Sequence, residues 1–339
     1  MSVNHNNMIM KDKEYVDNTS GNQDQAPEEV TSFRQKTEPL TPEQIIFFSV
    51  RDFFHAIGPM ISYIVITLIC LTVGFLFSGM TQSGFDTYLS ERSNIAVATA
   101  VVITLIRLRR KSRKAGSTFF EDASLYRKDI KWKRVLYAFV FGAGAALFLS
   151  AVLTLIPKVG IFATYSGHVG KMYQRSDLAL SIVESALLTP FVEEIIFRGY
   201  MLNRLLVRWP EIPALIVTTL IFSAMHGSSV WFVYTFIMGL IIGILSIKEG
   251  NILYGIFLHA GFNFPSVIQW FIYLIRPELQ ATQVATGTFR VVLLGLIGMA
   301  GAVLMYMLYR KEISRVSIFD AELERMNRDD MEDHHGRRI

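Results

Sequence analysis

The sequence predicts an all-α fold, a polytopic membrane bundle of about eight transmembrane helices, and three observations carry that expectation. Hydrophobic residues make up 51% of the 339, charged residues only 18%, and the mean hydropathy is +0.36, outside the range of ordinary soluble domains. Apolar runs of the size that crosses a bilayer recur at 53–78, 93–106, 135–156, 178–207, 213–228, 230–247, 252–275 and 289–309. Basic residues gather between these runs on alternate sides.

Taken in order, residues 1–44 are polar and lack the basic stretch and apolar stretch of a cleaved signal, so they are expected to form a disordered cytoplasmic tail. The bundle is expected over 45–311, with a catalytic core at about 178–275, and 312–339 as a charged cytoplasmic tail. Cys70, the one cysteine, lies inside the first run, which excludes an internal disulfide and a cysteine metal cluster. After the second run, RLRRKSRK and YRKDIKWKR place eleven Lys and Arg against three acids. The positive-inside rule fixes this loop in the cytoplasm, and segment 107–134 is expected to meet anionic lipid headgroups rather than nucleic acid. Arg204, Lys248, Arg310 and Lys311 fall on the same side, which makes this an integral multi-pass protein, read here as one of a bacterial cell membrane, with both termini cytoplasmic.

No internal repeat or inverted copy is visible, which weighs against a transporter. The fourth run is the longest. Its 30 residues would span roughly 45 Å as a helix, more than the ~30 Å of a hydrocarbon core, with Glu193 near the middle. Pro190 has no backbone N–H and is expected to kink this run and free a carbonyl near Ala186.

Within these runs lie ionisable side chains that cost roughly 2.5–3.5 kcal/mol each at membrane depth, which marks a polar site by default. Glu194 and Arg198 are four apart and can pair on one helix face. Glu193 is turned by about 100° from Glu194, leaving its carboxylate to enter a cavity as a general base. Phe222 stands one turn before His226 and can brace the imidazole. His259 and Asn263 present an imidazole and a carboxamide side by side, the kind of donor pair an oxyanion requires.

Together they suit hydrolysis of an amide by activated water, with no serine or cysteine nucleophile. Neither GxSxG nor HExxH occurs. No cofactor is expected, but zinc stays open, because Glu193, His226 and His259 offer two histidines and a carboxylate for an open metal site. A proton-coupled transporter and a silent membrane scaffold are the non-enzymatic readings of the same charges.

The three pieces, EExxxR at Glu193, Glu194 and Arg198, FxxxH at Phe222 and His226, and HxxxN at His259 and Asn263, resemble the CAAX protease and bacteriocin-processing family of intramembrane glutamic endopeptidases. The likeness covers about 180–268. It implies an eight-helix endopeptidase acting on a membrane-associated peptide or protein. In it Glu193 is the general base, His226 assists in activating water, His259 and Asn263 form the oxyanion hole, and Glu194 with Arg198 holds Glu193 in place.

Overall fold

The computed structural model describes residues 42–77, 88, 93–125, 130–156, 178–207, 209–227, 229–278 and 290–313. Most of the predicted leader, all the C-terminal tail beyond 313 and residues 126–129 of the basic segment lie outside the described residues. Among those residues every regular element is helical: α1 Pro42–Phe77, α2 Ser93–Lys114, α3 Phe119–Asp122, α4 Trp132–Leu155, α5 at 178–206, α6 Glu211–Ala224, α7 Ser229–Glu249, α8 Ile252–Ile275 and α9 Arg290–Ile313.

Each predicted apolar run falls on a helix, yet only four of these are long and apolar enough to cross a membrane: Val50–Phe77 in α1, α4, Val230–Glu249 in α7, and α9. The difference from about eight has physical causes. The 14 residues of α6 span roughly 21 Å, short of a ~30 Å core. α2 continues through the basic run to Lys114, so charge expected in a loop is carried on a helix. α5 and α8 are diluted by the acids, histidines and carboxamide of the site.

Helix boundaries follow local chemistry. Thr118 caps α3 in a reciprocal box with Glu121. Asn251 opens α8 by accepting from the Leu253 N–H at 2.9 Å. Gly250, at φ 58°, makes the reversal between α7 and α8 that a side chain would resist. At that end Arg134, Glu249 and Tyr309 tie α4, α7 and α9 together.

Close packing depends on missing side chains. A Cβ on Gly261 of α8 would stand 2.0 Å from the Phe139 carbonyl oxygen of α4, and one on Gly142 would stand 2.2 Å from the Leu258 carbonyl oxygen. On another face of α4, a Cβ at Gly144 would lie 2.5 Å from the Gly298 carbonyl oxygen of α9. Small residues let helices in lipid approach this closely, where no hydrophobic force separates them from acyl chains. Polar cross-links attach α1 and α2 to α5: Arg204 to the buried Asp52 of α1 at 2.7 Å, and Asn94 of α2 to Ser181 at 2.8 Å.

α5 alternates between two registers. Glu184–Leu188 and Ile195–Leu202 are π-helical, separated by the α-helical turn Thr189–Glu194. Each π stretch widens the helix and re-aims the residues after it, a feature often found at functional sites.

Candidate active site

Glu194 ends the α-helical turn of α5 and is fully buried. Its Oε1 accepts from Arg198 Nη1 at 3.0 Å and lies 2.9 Å from His259 Nδ1 on α8. A carboxylate oxygen only accepts, so Nδ1 of His259 carries the hydrogen. The predicted Glu194–Arg198 pair is therefore present, with a third partner that helix spacing did not reveal. Arg198, 1% exposed, sends Nη2 to the Gly239 carbonyl of α7 at 2.9 Å and lays its guanidinium 4.6 Å from the Phe222 ring centre. Gly239 is needed there: a Cβ would sit 3.2 Å from that nitrogen and 2.9 Å from the Thr219 methyl.

Glu193 behaves differently from its neighbour. Its side chain keeps 18% exposure, its Oε2 lies 3.8 Å from His259 Nε2, and that buried oxygen accepts no hydrogen bond among the described residues. The separation is too long for a hydrogen bond and suits a group held between the two.

His226 follows the last turn of α6, just before Gly227 at φ 78°. Its Nδ1 is 2.9 Å from the Phe222 carbonyl oxygen. That oxygen can only accept, so Nδ1 carries hydrogen and the neutral ring presents a lone pair at Nε2. The Phe222 ring braces the imidazole as the spacing predicted, with centroids 4.7 Å apart, and meets His259 at 6.1 Å on an edge. Phe222 thus stands against both imidazoles.

Asn263 lies one turn beyond His259, and the structure gives this pair separate partners. Nδ2 of Asn263 donates to the Ser185 carbonyl of α5 at 3.0 Å, while His259 is held by Glu194. One amide hydrogen of Asn263 remains for a ligand.

Three contributors escaped sequence reasoning: the carbonyls of Gly239 and Ser185, and Tyr63 of α1. Tyr63 lies within electrostatic reach of Glu193 and Glu184. A carbonyl has no residue signature, and Tyr63 is one aromatic among many in an apolar run. Among the described residues, no group of three or more His, Cys, Asp and Glu is placed to hold a metal ion.

Residues 175–265 match the family model described as Type II CAAX prenyl endopeptidase Rce1-like. The chain carries an Rce1-like domain. That domain contains Glu193, Glu194, Arg198, His226, His259 and Asn263, and over its length the resemblance to the CAAX protease family read from the sequence is borne out. The Rce1-like match supports a protease, and the apolar helices support a multi-pass membrane protein. No curated protein and no solved structure matches the chain.

Proposed function

We propose that this protein is an intramembrane endopeptidase of the glutamic type, cleaving a peptide bond in a membrane-associated peptide or protein with water held by Glu193 and His226. The observation that carries the reading is the contrast between adjacent acids. Glu194, fully buried, holds Arg198 and His259 through Oε1, whereas Glu193 keeps 18% exposure and turns an oxygen toward His259 Nε2 at 3.8 Å, too far to be its hydrogen-bond partner.

In the proposed reaction, a water gives one proton to the Glu193 carboxylate, oriented by a hydrogen bond to the His226 Nε2 lone pair. Its oxygen adds to the scissile carbonyl carbon, and the carbonyl electron pair moves onto the carbonyl oxygen. That oxyanion is met by the Nε2–H of a His259 imidazolium and by the second amide hydrogen of Asn263. The proton on Glu193 then passes to the departing nitrogen as the C–N bond breaks, leaving a free amine and a carboxylic acid. Glu194 and Arg198 hold His259 and do not touch substrate. No cofactor enters these steps. The basic helix end and segment 107–134 would rest against anionic headgroups at the cytoplasmic surface of a bacterial cell membrane, with both termini on that side.

The test is cleavage of membrane-anchored peptides by the purified protein in proteoliposomes. Glu193→Gln is expected to insert normally and lose about 10²–10⁴-fold in rate. Undiminished cleavage by that variant sinks the proposal, and solute flux without peptide cleavage would favour a transporter.

A further inference from the structure

The Thr189 N–H bonds to the Glu184 carbonyl, five residues back, in the wide register of the first π turn. In that register the next donor, aimed at the Ser185 carbonyl, belongs to residue 190. Residue 190 is proline and has no hydrogen to give. The freed carbonyl is thus that of Ser185, one residue before the expected Ala186, and in a membrane an orphan carbonyl is costly because no water replaces the lost donor. Asn263 supplies the donor, its Nδ2 lying 3.0 Å from the Ser185 oxygen.

We infer that Asn263 is a positioning residue that splints the break in α5. α8 grips α5 on both sides of Pro190: Asn263 holds Ser185 before the break and His259 holds Glu194 after it. The two grips lie one turn apart on α8, so the angle at Pro190 is set by α8, and that angle aims Glu193. The proposal gives Asn263 a duty separate from meeting the oxyanion. Its catalytic consequence rests on the hydrolytic reading above, whereas its structural consequence does not.

A double-mutant cycle tests it. Pro190→Ala restores a backbone N–H able to serve the freed carbonyl. Asn263→Leu, Pro190→Ala and the double variant are compared with the parent by thermal midpoint in detergent and by kcat and KM on a membrane-anchored peptide. Asn263→Leu is expected to lower the midpoint and reduce kcat about 100-fold with little change in KM. The double variant is expected to regain the midpoint and at least tenfold of the lost kcat. A double variant no more stable than Asn263→Leu overturns the splint. So does one that regains stability while its kcat stays as low, since Asn263 would then act at the reacting carbonyl alone. If no variant, parent included, cleaves any peptide, the hydrolase reading falls, and the midpoints still decide whether Asn263 replaces the missing donor.

Discussion

His259 and Glu194, 65 positions apart, meet Nδ1 to Oε1 at 2.9 Å, and this contact fixes the imidazole that faces Glu193. It divides the adjacent acids into one that ties α5 to α8 and one that the proposed mechanism uses as the base.

The building role predicts a loss of fold. Glu194→Ala strands the buried Arg198 guanidinium and frees His259, and should cost about 3–5 kcal/mol. Thermal unfolding in detergent measures it, with Glu193→Gln as the comparison expected to stay near the parent. Equal midpoints for the two would show that Glu194 is not structural.

The tautomer at His226 predicts a selective loss. His226→Asn can keep a donor toward the Phe222 carbonyl but removes Nε2, so kcat should fall about 10²–10⁴-fold while KM and the midpoint hold. Retained kcat would mean that Nε2 does not touch the water.

Backbone contact between α4 and α8 predicts intolerance to volume. Gly261→Val would drive a side chain into the Phe139 carbonyl and should destabilise by about 1–3 kcal/mol or more. Gly301, whose Cβ would meet nothing, should accept alanine without loss. Comparable midpoints for the two variants would contradict the packing.

Water activation without a cofactor predicts that cleavage persists after exhaustive chelation, with metal content checked by elemental analysis. Loss of activity that returns on adding zinc would instead support the metal reading built on Glu193, His226 and His259.

Much of this architecture was legible in the chain because lipid enforces a simple rule. Apolar runs became helices, though α1 starts at Pro42 rather than 53 and α2 runs on to Lys114 rather than 106, because polar and charged residues can extend a helix beyond its apolar part. Same-helix relations were readable too, because Glu194–Arg198 and Phe222–His226 follow from spacing alone. Relations between helices were not. Spacing paired His259 with Asn263, but their hydrogen bonds go to Glu194 and to Ser185, which only the packing of α8 against α5 brings near. The π turns were equally hidden, since Pro190 signals that a bond is missing but not in which register the helix resumes.

At Gly142 and Gly261, and again at Gly144 and Gly298, the seams between α4 and its neighbours α8 and α9 bring main chain against main chain, with no rotamers there to readjust. These three rods must travel as one block.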